Sequence, residues 1–463
     1  MLRGVKLLTA FLMCVFGARG ILLSKLKKFY TFESAPAPYP CCLCVAAASL
    51  LRPPPPAHQP ESESTMKRIY RASYMEHLVR LIGTPDIKII TGMRRSGKSE
   101  LLRAFKTKLH TMMPDVNIIH IDYADLAFDE LKDYKNLYQY VEAHYKAHAD
   151  NIVLIDEVQL CHKFELAVNS FHNSQKYDIY ITGSNAFLLS SDLATLFTGR
   201  FIEIPVYPFS FSEYCAYYEL SGNSEQLRQY LLCGGMAGSY VYQHARDKTQ
   251  YIKDIYITAV KRDLVDKYTI TQAALLDTLT EYLMDNVSNL TTVHNISAQL
   301  QRNNIQTNHV TVKNYLMYLC NAFLFYKVKR YDVRGKKYLE TNDKYYLVDT
   351  SFRFALLGTR NMDIGRMLEN IVAIELLRRG YDIYVGKLYE KEIDFVAMNA
   401  NEKLYIQVAD SIENEDTLQR ELAPLRAVKD AYPKIVLATT NYETYDVEGI
   451  KIVDLARWLM NNA

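Results

Sequence analysis

The sequence predicts an α/β chain organised on a parallel sheet, and three observations carry that prediction. Short strand-type runs at residues 87–91, 116–122, 151–157, 178–185 and 201–204 alternate with helix-patterned stretches at 99–105, 136–148 and 164–172. Such βα alternation builds parallel sheets. The runs are short and apolar, as in strands covered on both faces. Polar residues gather at the carboxyl ends of three of the runs, at 92–99 after the first and at Asp156-Glu157 and Ser184-Asn185 closing two others. Open α/β sheets take their ligands at these carboxyl ends.

The first cluster reads Gly92-Met93-Arg94-Arg95-Ser96-Gly97-Lys98-Ser99 and matches G-x-x-x-x-G-K-[ST]. Gly92 and Gly97 let the backbone curl, so that several N–H groups point inward at phosphate oxygens. Lys98 brings a point charge to the β- and γ-phosphates, and the Ser99 hydroxyl is suited to Mg²⁺. The helix that follows aims its positive dipole end at the anion. An apolar run before the loop and a helix after it supply the context the motif needs, against a Gly-rich turn with a chance lysine. All eight residues are therefore candidates for binding ATP.

Four apolar residues precede Asp156-Glu157. Beside a phosphate loop, Asp156 is suited to orient Mg²⁺, with Ser99 as its fellow ligand, and Glu157 to polarise the attacking water. Alone, the pair would read as a strand end and a solvated turn. Asn185 is a candidate to hold the γ-phosphate or the water, and otherwise a turn residue. Arg200, in Leu196-Phe197-Thr198-Gly199-Arg200, is a candidate arginine finger for a neighbouring subunit, and otherwise a surface arginine.

Composition bounds the rest. A chain of 463 residues exceeds one ordinary core, so two to four domains are expected. With 49% hydrophobic and 23% charged residues it reads as globular. A net charge of +2 excludes a polycation, so any nucleic-acid contact needs a local patch. Residues 1–65 differ: an apolar run at 7–18, then Cys41, Cys42 and Cys44, then four prolines at 53–56. The run has the size of a signal segment and is short for a membrane span. The leader reads as disordered or non-native. It is a secretory or anchor signal, a tether, or an upstream extension with Met66 as the start. The last is preferred, because Met66-Lys67-Arg68 opens a patterned helix and triphosphate chemistry points to the cytoplasm. Cys161, Cys215, Cys233 and Cys320 lack paired spacing and read as reduced structural thiols.

Together with the loop, Leu154-Ile155-Asp156-Glu157-Val158-Gln159, Ile181-Thr182-Gly183-Ser184-Asn185, Leu196 to Arg200, and Pro205-Val206-Tyr207-Pro208-Phe209-Ser210-Phe211-Ser212-Glu213-Tyr214 carry a family resemblance. The chain after Met66 resembles the prokaryotic AAA-domain P-loop ATPases with a C-terminal DUF4143-type domain, near the archaeal ATPases. The resemblance implies an AAA+-like core over 66–214, a winged helix, and a terminal domain of restriction-endonuclease-like fold.

Past Tyr214 the pattern turns helical, and 215–272 reads as a lid, with a stop at Gly234-Gly235. Residues 273–350 read as a winged helix-turn-helix, with helices at 274–286, 295–301 and 310–321 and wing strands at 325–331 and 344–348. Lys327, Lys329, Arg330, Arg334, Lys336 and Lys337 face only Asp332 in this wing. It suits a DNA backbone, or equally a solvated hairpin in a domain used for packing or oligomerisation. Residues 351–463 follow the order of a PD-(D/E)xK nuclease. Glu369 and Asp394 match its acids, but Gln407 and Ala409 replace its second carboxylate and lysine, so the site is degenerate. The expected function is ATP binding and slow hydrolysis that reposition lid, winged helix and nuclease-like domain, on DNA and in a homo-oligomer. A nucleotide-locked regulatory module and a DNA-cleaving enzyme are the alternatives.

Overall fold

The computed structural model describes residues 67, 69–183, 195, 197, 199–360, 362–440 and 442–461. The leader and Ser184-Asn185 lie outside the described residues. Helix α1 (Ala72–Arg80) leads into a run of strands and helices: β1 (Ile87–Thr91), α2 (Lys98–Met112), β2 (Asn117–Asp122), α3 (Tyr134–Ala143), β3 (Asn151–Asp156), α4 (Phe164–Ser174), β4 (Asp178–Thr182) and β5 (Phe201–Pro205). The strands form one parallel sheet of order β2-β3-β4-β1-β5.

Every residue of β1 and of β3 is buried, which is why these runs are mostly apolar. Alternate residues feed opposite faces, as the period of two in a strand requires. Ile89, Ile155 and Ile181 pack with α3 and α4 through Leu137, Val141, Val168 and Phe171. Ile90, Leu154 and Tyr180 pack with α1 and α2 through Leu78, Leu102, Phe105 and Leu109. The charged residue inside β1, Lys88, is fully buried and neutralised by Asp178 at 2.5 Å. The sheet thus carries its loops at one edge and two helical layers on its faces, as the sequence predicts.

Helices α5 (Phe211–Tyr218) and α6 (Ser224–Cys233) each begin in a complete capping box, Ser210 with Glu213 and Asn223 with Gln226. Helix α7 (Ala245–Ile255) runs through a π-helical segment, Tyr256–Arg262, into α8 (Asp263–Tyr268). Then come α9 (Ala273–Asp285), α10 (Val293–Arg302) and α11 (His309–Asn321), the last two capped by Thr292 and Asn308.

Strands β6 (Phe325–Asp332) and β7 (Lys337–Leu347) form the hairpin expected as a wing. They are followed by α12 (Thr350–Leu357), α13 (Ile364–Arg378), β8 (Asp382–Leu388), β9 (Lys391–Met398), β10 (Lys403–Ser411), α14 (Glu415–Ala427), β11 (Lys434–Thr439), β12 (Tyr445–Val447), β13 (Ile450–Asp454) and α15 (Leu455–Met460). The sheet order is β12-β13-β11-β10-β9-β8-β6-β7. The hairpin does not end a separate wing. Strand β6 pairs in parallel with β8 over Arg330–Asp332, so one sheet crosses the boundary drawn at residue 350. Local pattern locates a hairpin, but pairing with a strand some fifty residues on leaves no mark in it. One hydrophobic core runs from Met93, Tyr207 and Tyr214 through Leu276, Leu316 and Phe325 to Phe395, Leu437 and Leu459. Cys161, Cys215, Cys233 and Cys320 are free thiols, buried or half-buried. Among the described residues no helix is long and apolar enough to cross a membrane.

Candidate functional site

The loop leaves β1 at Thr91 and enters α2 at Lys98, at the carboxyl edge of the central strand. Its glycines are required by geometry. Gly92 has φ +132° and Gly97 φ +96°, in the region that side chains disfavour. A Cβ on Gly92 would stand 2.2 Å from the carbonyl oxygen of Val206, in the segment leaving β5. Gly92→Ala is therefore expected to displace the loop or that segment. Nucleotide affinity should fall roughly tenfold or more and the melting temperature should drop, read by calorimetric titration and thermal unfolding.

Lys98 is only 4% exposed. Its Nζ donates to the carbonyls of Gly92 at 2.8 Å and Met93 at 3.0 Å, closing the loop on the ammonium. Burial pushes its pKa down to about 8, against the pull of the Glu157 and Asp156 carboxylates. Asp156 ends β3 and is itself buried. Burial raises its pKa, and hydrogen bonds from the Thr182 and Ser99 hydroxyls oppose the rise. The two expected metal ligands are thus in contact before any metal is added. The Ser96 hydroxyl is buried and has no hydrogen-bond partner among the described residues, and it lies in the loop itself. A cradle with an unspent donor, a buried ammonium and a hydroxyl–carboxylate pair fits a nucleotide phosphate chain with Mg²⁺.

Glu157 follows in the left-handed region at φ +52°. Its N–H donates to Thr182 Oγ1 at 3.1 Å, and its carboxylate accepts from the Gln159 amide. Thr182, at the end of β4, therefore bonds both acids' residues through one hydroxyl. The sequence reading passes over Thr182, although its place as the last residue of an apolar run is the signal that marks it. Asn185 lies outside the described residues. Arg200 is exposed and donates to Asn173 at 2.8 Å. It precedes Phe201, which pairs with Ile87 at the start of β1. It therefore lies at the opposite edge of the sheet from its own loop, about 16 Å away at 3.3 Å per residue.

Two further features were not legible beforehand. Arg71, 6% exposed, donates to Ser96 O at 3.1 Å, to Tyr207 O at 2.9 Å and to both carboxylate oxygens of Glu213 at 2.7 and 3.0 Å. Burial pushes the Glu213 carboxyl up, and the Arg71 guanidinium, helped by Arg378 and the Ser210 N–H, more than reverses this, so its pKa ends below its ordinary value. The variable residues of the loop reach the lid: Arg94 pairs with Asp263 at 3.4 Å, and Arg95 lies over Tyr251 at 5.5 Å.

The fold and this site are those of an AAA-type P-loop domain. Residues 84–215 match the model of an AAA domain, and residues 224–363 match a domain of unknown function, DUF8612. The resemblance implied a DUF4143-type domain; the matching model is this other one, and it spans α6 to α12 instead of the terminal strands. An uncharacterized protein of Haemophilus influenzae is 37% identical over 398 residues, covering 85% of this chain and 98% of that protein, and the chain belongs to its family. An uncharacterized protein of Methanocaldococcus jannaschii is 26% identical over 386 residues, covering 79% of this chain and 83% of that one. The Walker-type ATPase of Pyrococcus abyssi superposes with a TM-score of 0.38 at 16% identity, covering 62% of this chain and 95% of that structure.

Proposed function

We propose that the chain is a Mg²⁺-dependent ATPase that uses its nucleotide state to move the helices and sheet packed against the loop. The observation that carries this is Lys98, buried and held by the loop's own carbonyls where a phosphate would take over its charge. Mg²⁺, when bound, supplies charge to the β- and γ-phosphates, and Ser99 and Asp156 are the residues to hold it. Lys98 and the loop N–H groups bind the phosphate chain. Glu157 polarises the attacking water, with its carboxylate oriented by Gln159. Asn185 remains the candidate to steady that water. Arg200 acts on a neighbouring subunit's nucleotide, because its own loop is at the far edge, and this requires a homo-oligomer.

The switch is read by the lid. Met93 packs into the core shared by the helices and the C-terminal sheet, while Arg94 and Arg95 touch α8 and α7. Phosphates arriving at the loop would compete for Arg94 with Asp263. We keep 66–214 as the ATPase core and 215–272 as the lid, and read 273–350 as a winged-helix segment and 351–463 as a nuclease-like segment that are joined through the shared sheet. DNA is the proposed partner of the hairpin, where Lys329, Arg334, Lys336 and Lys337 are exposed while Lys327 is paired with Asp343 at 2.7 Å.

Glu157→Gln is the test. General-base loss should lower turnover about 10²-fold or more while ATP binding persists. Measured with and without duplex DNA, wild-type turnover should rise with DNA. Absence of any wild-type turnover would favour a second reading, a regulatory module that nucleotide locks, for which the Arg94–Asp263 tie is the supporting contact.

A further inference from the structure

The acids that the nuclease-like order singles out do come together, but around a lysine. Lys344, on β7, has a side chain only 3% exposed. Its Nζ is 2.8 Å from Glu369 of α13, 2.8 Å from Glu392 of β9 and 4.0 Å from Asp394 of β9. Tyr346 adds its hydroxyl to the same Glu369 oxygen at 2.7 Å. The remaining positions are engaged elsewhere. Asp394 accepts the Val408 N–H at 2.9 Å, while Gln407 accepts from the Asp394 N–H at 2.9 Å and donates to Glu421 at 3.0 Å. Among the described residues no group of three or more His, Cys, Asp or Glu is arranged to hold a metal ion.

We propose that the Lys344 ammonium is a built-in cation, standing where a nuclease of this order would bind Mg²⁺. Glu369 is buried and Asp394 largely so, and Glu392 closes the outer side of the pocket, a third exposed; carboxylates gathered this way repel unless a counter-charge stands between them. A divalent ion is one solution, and an ammonium on a neighbouring strand is another. A metal cannot share the pocket with it, because the ammonium fills the space between Glu369 and Glu392 and repels a second cation. The residues present thus do not fit Mg²⁺, and the pocket does no hydrolysis. What it does is mechanical. Lys344 belongs to the hairpin, and its partners belong to α13 and β9, so the ion cluster fastens the hairpin to the terminal sheet beyond the β6–β8 pairing. Movement passed through the shared core would reach both as one body.

The proposal predicts that removing the lysine opens a metal site. The probe is Mn²⁺ alone on the full chain without nucleotide, read by thermal unfolding and by the electron paramagnetic resonance of free Mn²⁺. Wild type and Asp394→Asn should take up Mn²⁺ equally, since any weak uptake at Ser99 and Asp156 is common to both. Lys344→Ala should melt lower than wild type, bind one additional Mn²⁺, and regain several degrees of melting temperature when it does. The double variant Lys344→Ala/Asp394→Asn should lose that recovery. If Lys344→Ala does not fold without metal, refolding from denaturant gives the same reading: recovery with Mn²⁺ and not without supports the proposal, and failure in both overturns it. A wild-type protein whose Mn²⁺ uptake drops on Asp394→Asn, or a folded Lys344→Ala that ignores Mn²⁺, also overturns it.

Discussion

Lys98→Ala is expected to weaken ATP binding by about 100-fold or more, which corresponds to roughly 3 kcal/mol, with turnover lost at accessible concentrations. The lysine is buried and, among the described residues, makes no ion pair within hydrogen-bonding distance; its hydrogen-bond partners there are two neutral carbonyls of its own loop. It therefore contributes charge to a ligand more than it contributes stability to the fold, and the variant should melt near the wild-type temperature. Burial has also brought its pKa down to about 8. The sign follows directly. In the free protein the ammonium loses its proton as pH rises through that value, whereas bound phosphates favour the charged form. Wild-type affinity should then fall as pH rises above about 8, with proton uptake on binding, and Lys98→Ala should lack this dependence. Calorimetric titration in buffers of differing ionisation enthalpy reads both. Unchanged affinity in Lys98→Ala would remove the basis for the ATPase assignment.

The parallel sheet was legible because its evidence is local. Buried parallel strands write themselves as apolar runs, and the runs of β1 and β3 end in the loop and in Asp156-Glu157, which the fold brings to one edge. The loop was legible because phosphate binding fixes residue types at fixed spacing. What escaped depends on contacts between distant segments. Arg71 looks like an ordinary surface arginine until α1 is laid beside Tyr207 and Glu213. Lys344 reads only as the first residue of the second wing strand, and the sheet that joins the hairpin to β8 and β9 carries it to Glu369 and Glu392. Thr182 lies between: its position at a strand end was visible, its two acidic neighbours were not. Arg200 lies at the far edge of the sheet from its own loop, since β5 runs parallel to β1 and starts there, a placement that only the strand register reveals.

Arg71→Ala should be the most damaging single change to stability, at about 3–5 kcal/mol, the range for breaking a buried charge pair by removing one partner. The guanidinium is held by four hydrogen bonds and lies 4.4 Å from the Tyr74 ring, so its loss leaves the Ser96 and Tyr207 carbonyls short of a donor and Glu213 short of its counter-charge. Glu213 also caps α5 through Ser210, which spreads the damage to the segment after β5. The pH dependence separates this account from simple loss of packing. Glu213 has a lowered pKa in the fold, so it contributes stability above the ordinary carboxylate range, and that contribution is lost as pH falls through its lowered value. In Arg71→Ala the main opposition to burial is gone and only Arg378 and the Ser210 N–H still favour the carboxylate, so the carboxyl should rise and the variant should gain stability relative to wild type as pH falls. Arg71→Lys should rescue little, because one ammonium cannot reproduce the paired N–H contacts to Glu213. Glu213→Gln in the Arg71→Ala background should restore part of the loss by removing the stranded charge. Denaturant unfolding of wild type, Arg71→Ala, Glu213→Gln and the double variant at neutral and acid pH tests the coupling: additive losses with no pH signature would mean that Arg71 holds the loop by shape alone. Since Arg71 also grips Ser96 O, ATP affinity should fall in Arg71→Ala even under conditions where the protein stays folded, which makes the clamp part of the nucleotide site's own geometry.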